Sequence, residues 1–182
     1  MNLPDIPIVG FAAWSGTGKT TLLTNLLSIF NERGLRVGVV KHAHHTFEID
    51  YPGKDSYELR KAGAQQVLIG SRKRWALISE NRDHVDKSLE YHINNLDLDS
   101  LDLVLVEGFK PEHIPKIEVH RPSLGKELLY PDDDSIFAIA SDEALADTGA
   151  LPLLDLNKPG KIAEFVIDRF LSNQQTAQAN LE

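Results

Sequence analysis

Cysteine is absent from the 182 residues of this sequence. Its absence excludes disulfide bonds, thiolate metal sites and cysteine nucleophiles, and is compatible with a reducing compartment. The sequence also lacks an apolar run long enough to cross a bilayer, and its first residues form no basic leader. We therefore expect a cytoplasmic protein with no membrane partner.

Basic residues are in the minority, with 19 lysines and arginines against 27 aspartates and glutamates. The resulting net charge of −8 argues against a nucleic-acid-binding surface. Hydrophobic residues make up 42% of the chain, as in an average globular protein. The length suits one sizeable core, so we expect a single domain over residues 1–172 and a polar, disordered tail over 173–182.

Apolar patterning predicts an alternation of strands and helices. The predicted strands span residues 7–13, 36–42, 101–109, 116–120, 135–140 and 151–156. The predicted helices span 20–33, 56–62, 84–96 and 159–171, the last with Asn157 as its N-cap. Segments 65–71 and 74–80 flank a basic turn and predict a β-hairpin. This order indicates an α/β fold, with a mostly parallel sheet flanked by helices and an added hairpin.

The first predicted strand runs into the segment AWSGTGKT, which matches the phosphate-loop pattern G-x-x-x-x-G-K-[ST] at all but its first position. Ala13 stands where the pattern has glycine, so the sharpest bending is expected at Gly16 and Gly18. An ordinary glycine-rich turn does not explain the lysine and threonine at the helix start. The candidate nucleotide-binding residues are Ala13, Trp14, Ser15, Gly16, Thr17, Gly18, Lys19, Thr20 and Thr21.

Each part of this motif has a physical role in holding phosphate. Backbone N–H groups of residues 15–20 would form an anion nest, and Lys19 would reach the β and γ phosphates. The Thr20 hydroxyl would ligate Mg²⁺. Together with the strand before it and the helix after it, the motif predicts a P-loop NTPase-like fold.

A second motif follows the buried strand in LDLVLVEGF. P-loop proteins place an acidic residue at the end of a neighbouring strand to hold the Mg²⁺ shell, and Glu107 fits that role. Gly108 would let the backbone approach the γ-phosphate. We therefore take Glu107 as a candidate catalytic and metal residue, and Gly108 as a candidate nucleotide-binding residue.

Three histidines lie in the segment KHAHH, after the second predicted strand. No cysteine is present to complete a tetrahedral zinc set, so a polar loop facing phosphate or a partner is favoured over a metal cluster. GTPases keep a γ-phosphate-sensing segment at this position. The switch-like loop is thus predicted to contain Lys41, His42, His44 and His45.

Several segments together resemble the molybdopterin-guanine dinucleotide biosynthesis protein B family, MobB. They are FAAWSGTGKTTLL, KHAHH, PGKDSYELRKAGA, RWALISE, DLVLVEGFK and AIASD, and the similarity runs from about residue 7 to about 170. The resemblance implies a homodimeric, GTP- and Mg²⁺-binding adapter with weak GTPase activity. It further implies that the adapter assists the guanylyltransferase MobA in attaching GMP to molybdopterin.

The resemblance also implies roles for residues outside the two motifs. Asp55 would orient water or the Mg²⁺ shell, or would merely cap the helix predicted from Ser56. Ser141 and Asp142 follow a strand at the edge where such folds bind ligands, and a carboxylate there can accept two hydrogen bonds from guanine. As an alternative, these two residues cap a helix. The basic turn of residues 72–74 suits an anionic pterin phosphate or an acidic partner, or is simply solvated.

Two other functions use the same phosphate loop. A small-molecule kinase would be expected to have an arginine-rich lid, and the chain has no long arginine-bearing insertion. A metallochaperone GTPase would usually have a cysteine-bearing or histidine-rich metal motif. The adapter function is therefore favoured, with the other two as alternatives.

Overall fold

The computed structural model describes residues 3–43, 47–81, 83 and 85–172. Its contacts divide the chain into two compact units, the larger formed by the described residues up to 42 and from 89 onward. The smaller unit lies between them in sequence, over residues 43–88. Each unit is described by itself, and a single domain over 1–172 stays a prediction.

The larger unit is built on a sheet whose strands, among the described residues, are β1 (Ile8–Ala13), β2 (Val37–Lys41), β5 (Leu103–Glu107), β6 (Lys116–His120), β7 (Ile136–Ser141) and β8 (Leu153–Asp155). Their order across the sheet is β2-β5-β1-β6-β7-β8. Every neighbouring pair of strands in this sheet is parallel. The predicted mostly parallel sheet is therefore confirmed.

Among its described residues this unit has the α-helices α1 (Lys19–Glu32), α3 (Leu89–Ile93) and α4 (Pro159–Phe170), and three short 3-10 helices over Leu98–Ser100, Pro122–Leu124 and Tyr130–Asp132. Alternate residues of β1 point to opposite faces of the sheet. On one face, Val9 and Phe11 lie in a core cluster with Leu26 of α1 and Ile162 of α4. This packing fixes α1, and hence the loop that precedes it, against the sheet.

On the other face of the sheet, the side chains at β2 and β5 are apolar and those of β6 are polar. Ile8 lies there in a second core cluster with Leu89 and Ile93 of α3. The side chains of β6 that point to this face are buried polar groups, namely Lys116, Glu118 and His120. Glu118 accepts the backbone N–H groups of Leu129 at 2.8 Å and Tyr130 at 3.0 Å. The segment after β6 is thereby held by hydrogen bonds to a buried carboxylate.

The smaller unit contains helix α2 (Asp55–Lys61) and strands β3 (Gln66–Gly70) and β4 (Trp75–Ser79). The two strands pair antiparallel, so the predicted hairpin is confirmed. The Arg60 guanidinium, which is 8% exposed, forms ion pairs with Glu48, Asp50 and Glu80. This network ties α2 to β4 and to the segment before the helix.

Two local predictions are wrong. The helix predicted over 84–96 is shortened to α3, and before it the Asp83 side chain accepts the Val85 N–H at 3.3 Å, a local contact that competes with a helical backbone. Asn157 does not cap α4, where Lys158 holds the N-cap position. Among the described residues, no helix combines the length and apolarity needed to span a membrane.

Candidate functional site

The phosphate loop occupies the turn from β1, which ends at Ala13, to α1, which begins at Lys19. Gly16 has φ of 83° and Gly18 has φ of 88°, a region that side chains resist. The expected bending at these two glycines is confirmed. Inside the turn, the Thr17 hydroxyl donates to the Trp14 carbonyl at 3.0 Å, which closes the loop on itself.

The amino terminus of α1 has no capping group of its own. Gly18 holds the N-cap position, no side chain accepts from the first turn, and that turn contains no acidic residue. The first N–H groups of a helix have no partner within it and carry the positive end of the helix dipole. This terminus is therefore suited to an anion.

Four side chains of the predicted site lie together at the carboxyl edge, the edge of the sheet where the parallel strands end. Glu107 accepts from Lys41 Nζ at 3.0 Å and from the Thr20 hydroxyl at 3.5 Å, and its Oε1 lies 3.8 Å from Lys19 Nζ. Topology explains the cluster, because β5 lies between β2 and β1 and Glu107 is the register partner of both Lys41 and Phe11.

The charges around Lys19 oppose one another. Burial holds the pKa of the Lys19 ammonium below its usual value, and the nearby Glu107 carboxylate raises it again. The ammonium groups of Lys110 and Lys41 lower the same pKa. Lys19 thus lies close to two other cations and to one carboxylate, in a chain that is acidic as a whole. This local excess of positive charge favours a polyanionic ligand.

The turn after Glu107 is tightly constrained. Gly108 has φ of 91°, and a Cβ there would lie 2.8 Å from His42 Cβ. Phe109 follows with φ of 51°, a strained value for an aromatic residue. Its ring centroid lies 5.0 Å from that of His42 and 5.7 Å from that of His92. Gly108 therefore allows the carboxyl ends of β2 and β5 to approach closely.

Trp14 connects the phosphate loop to two distant segments, which sequence patterns did not predict. Its Nε1 donates to the Glu127 carbonyl at 2.8 Å. Lys110 Nζ lies 4.6 Å from its ring centroid, and Lys126 Nζ lies 5.9 Å from it. Both are cation–π distances.

The predicted base-binding residues lie at the end of β7. Ser141 is buried, and its Oγ accepts the Glu143 N–H at 3.3 Å. Asp142 Oδ2 pairs with Arg121 Nη1, while Asp142 Oδ1 is buried and has no hydrogen-bond partner among the described residues. The next regular element is β8, so the alternative that these residues cap a helix is wrong.

Arg121 is a site residue that the sequence did not indicate. It follows β6 directly, and its Nε donates to the Thr17 carbonyl of the phosphate loop at 2.7 Å. The same guanidinium pairs with Asp142. A single arginine after a strand does not by itself indicate a binding site. The two partners of Arg121 lie 104 and 21 residues away along the chain, so no local sequence pattern connects them to it.

The remaining predicted residues stand apart from this cluster. Asp55 is the first residue of α2 in the smaller unit, with Lys54 at the N-cap, so its suggested role as a helix cap is wrong. Its catalytic role stays a prediction. His44 and His45 lie outside the described residues. Within the described ranges, no group of three or more histidine, aspartate or glutamate side chains could hold a metal ion. The basic turn at residues 72–74 is exposed.

Known proteins match this chain over most of its length. The family model for MobB, described as molybdopterin guanine dinucleotide synthesis protein B, matches residues 8–142. The molybdopterin-guanine dinucleotide biosynthesis adapter protein of Escherichia coli (strain K12) is 48% identical over 166 residues, covering 90% of this chain and 93% of that protein. The Haemophilus influenzae adapter protein of the same name is 42% identical over 163 residues, covering 89% and 88%.

Solved structures show the same fold. A crystal structure of molybdopterin-guanine biosynthesis protein B aligns with a TM-score of 0.69 at 28% identity, covering 90% of this chain and 98% of that one. Bacillus subtilis MobB aligns with a TM-score of 0.71 at 24% identity, covering 92% and 99%. The P-loop NTPase-like fold predicted from the sequence is confirmed. With a family model matched over most of its length and close relatives matched nearly end to end, this chain belongs to the MobB family.

Proposed function

We propose that this protein binds GTP with Mg²⁺ at the carboxyl edge of its larger unit and acts as an adapter in molybdopterin guanine dinucleotide synthesis. The observation that carries the nucleotide part is the uncapped start of α1, where Lys19 and Thr20 face Glu107. A triphosphate would fill the anion site at the helix terminus. It would also balance the cations gathered around Glu107.

The side chains at this position fit a magnesium ion. Mg²⁺ prefers oxygen ligands and is usually bound through one or two protein groups together with substrate phosphates. The Thr20 hydroxyl and the Glu107 carboxylate offer two such oxygens 3.5 Å apart. When bound, Mg²⁺ neutralises phosphate charge, while Lys19 and Lys41 hold the Glu107 carboxylate in place from two sides.

The preference for guanine rests on Asp142. Its buried Oδ1 has no partner among the described residues, and a buried acceptor without a donor is costly. Guanine offers two adjacent N–H donors on one edge, whereas adenine offers an acceptor where one of them would be. Adenine could donate only from its amino group and would turn a lone pair toward the Asp142 carboxylate, so guanine is the better match. Ser141 belongs to the same edge of the site and orients the turn that carries Asp142.

The adapter role comes from the relatives, whose names describe adapter proteins of molybdopterin-guanine dinucleotide biosynthesis. In this role the protein would form a homodimer and bind the guanylyltransferase MobA and molybdopterin. It would hydrolyse GTP slowly when alone. Fast hydrolysis needs a group that orients water and a cation that stabilises the transition state. Residues 41–54 and 108–115 contain neither glutamine nor arginine, and Arg121 is already engaged by Thr17 and Asp142.

The adapter role is tested by steady-state GTPase assays with and without MobA and molybdopterin, alongside a pull-down with MobA. We expect turnover far below about one per second for the isolated protein, as in GTPases that lack an arginine finger. We also expect a complex with MobA. Turnover on the order of ten per second by the isolated protein, with no complex, would instead indicate an autonomous phosphotransferase. Tight zinc or nickel binding in equilibrium dialysis would favour the metallochaperone.

A further inference from the structure

Arg121 joins two parts of the site that no other side chain of the described residues joins. Its Nε donates to the Thr17 carbonyl in the phosphate loop at 2.7 Å, and its Nη1 pairs with Asp142 Oδ2. The side chain is 34% exposed, and that of Asp142 is 17% exposed. Half-buried ion pairs of this geometry are stronger than pairs in open solvent.

The topology of the sheet places Arg121 at this point. β6 lies between β1 and β7, so the residue after β6 is adjacent both to the loop after β1 and to the turn after β7. A guanidinium is a rigid planar group with five N–H donors, which lets it bind two acceptors in fixed directions at once. A lysine ammonium at the end of a flexible stem would not fix the relative directions of the two acceptors.

The contact with the phosphate loop is close. A Cβ at Gly18 would lie 3.5 Å from Arg121 Nη2, at a φ of 88°. The guanidinium therefore lies beside Gly18, the N-cap residue of α1, while its Nη1 pairs with Asp142. This position puts one flat cationic group between the phosphate end and the base end of the site.

We propose that Arg121 is the positioning residue that makes this site specific for guanine. By occupying Oδ2 it fixes the rotation of the Asp142 carboxylate and leaves Oδ1 as the acceptor for the base. By holding the Thr17 carbonyl it also sets the distance from that acceptor to the phosphate loop. The proposal rests on the proposed binding of GTP, because it assigns a role within that same site.

The competing explanation is that Arg121 is a structural clamp on the phosphate loop. Loss of a clamp would weaken the binding of every nucleotide equally. Loss of a positioning residue would change the ratio of ATP to GTP dissociation constants and leave the binding of the bare polyphosphate nearly intact. The two explanations therefore differ in a measurable ratio, whatever the change in absolute affinity.

The test is calorimetric titration of Mg²⁺·GTP, Mg²⁺·ATP and Mg²⁺·tripolyphosphate into the full chain and its variants. In Arg121→Met we expect the ratio of ATP to GTP dissociation constants to fall about tenfold, the effect of one charge-assisted hydrogen bond to the base. Tripolyphosphate affinity should change less than about threefold, because Lys19 and the helix terminus remain. Arg121→Lys should give an intermediate ratio.

Two further variants make the result specific. Combining Arg121→Met with Asp142→Asn should give the ratio of Asp142→Asn alone, because both changes remove the same interaction. Arg36→Met is the matched control: it breaks an arginine–aspartate pair in the same unit but at the amino edge of the sheet, so the ratio should not change.

The outcomes separate this inference from the function on which it rests. A wild-type protein without GTP preference overturns both the proposed base recognition and the role of Arg121. A wild-type preference that survives intact in Arg121→Met overturns the role of Arg121 alone. If Arg121→Met does not fold, Arg121→Lys decides: an unchanged ratio overturns the proposal, and a ratio lowered by about threefold or more supports it.

Discussion

Two arginine–aspartate pairs lie at opposite edges of the same sheet, and they differ in whether the carboxylate is satisfied. At the amino edge, Asp102 Oδ2 accepts the Arg36 backbone N–H at 2.7 Å and Nε at 3.1 Å, and Oδ1 accepts Nη2 at 2.7 Å. At the carboxyl edge, Arg121 satisfies one oxygen of Asp142 and leaves the other buried without a donor.

The difference distinguishes a structural contact from the contact that we propose for nucleotide binding. Arg36 and Asp102 join the starts of β2 and β5, and each oxygen of Asp102 has a donor, so this pair is a contact between strands with no unsatisfied acceptor. Asp142 keeps an acceptor beside Arg121, whose guanidinium also holds the Thr17 carbonyl of the phosphate loop. A buried carboxylate oxygen is costly unless a donor reaches it, and a ligand can supply that donor.

The largest effect is expected from removing Lys19, the lysine of the phosphate loop at the carboxyl edge. Lys19→Ala should weaken GTP binding about tenfold to a hundredfold, because a charge-assisted hydrogen bond to phosphate contributes on the order of 1.5–3 kcal/mol. Titration calorimetry measures the affinity, and circular dichroism checks the fold. The matched control is Lys161→Ala, since that exposed lysine pairs with Glu164 on α4. Equal GTP affinity in a folded Lys19→Ala protein contradicts the phosphate-loop assignment.

A smaller effect is expected from changing the unsatisfied carboxylate. Asp142→Asn should lower the preference for GTP over ATP about tenfold while leaving the affinity for tripolyphosphate unchanged, because an amide offers guanine a weaker acceptor. Asp102→Asn is the control at the amino edge and should leave nucleotide preference unchanged. If both substitutions shift the preference equally, the contrast between the two edges is wrong.

The smallest effect is expected in the pH dependence of the protein's stability, through the Arg36–Asp102 pair at the amino edge. Hydrogen bonds from the Arg36 side chain hold the pKa of the Asp102 carboxyl below its ordinary value of 3.8. A carboxyl whose pKa is lower in the folded state contributes stability above the unfolded value, and that stability is lost as pH falls through the folded value. When the pH is lowered, the free energy of unfolding of the Asp102→Asn protein should therefore fall by less than that of the wild-type protein.

Urea denaturation at neutral pH and below pH 3.8 measures this effect as the free energy of unfolding. The wild-type protein should lose more stability between the two conditions than Asp102→Asn does. Identical losses in the two proteins would show that the Arg36–Asp102 pair contributes nothing that depends on the charge of the carboxyl.

The parts of the site that are contiguous in sequence could be predicted, because local spacing alone brings their residues together. Gly16, Gly18 and Lys19 lie within one turn, and their backbone angles are those that the motif requires. Glu107 could be placed as well, since the end of a buried strand is visible in the sequence. Its approach to Lys41 follows from the order of the strands, which the sequence does not state.

The parts assembled by tertiary packing could not be predicted. Arg121 binds groups contributed by the ends of two neighbouring strands, and Trp14 meets Lys110 and Lys126 from two separate loops. The helix predicted over 84–96 is too long for a different reason, which is local in the sequence. Apolar spacing favoured a helix there, while the Asp83 side chain accepts the Val85 N–H, a local contact that competes with helical hydrogen bonds.

The most direct test of the central claim is calorimetric titration of the wild-type protein with Mg²⁺·GTP and Mg²⁺·ATP under identical conditions. We predict one site that binds GTP at least about tenfold more tightly than ATP, because guanine presents two adjacent N–H donors to the Asp142 carboxylate, whereas adenine presents one donor beside a lone pair. Equal affinity for the two nucleotides, or no binding of either, would contradict the claim that the carboxyl edge is a guanine nucleotide site.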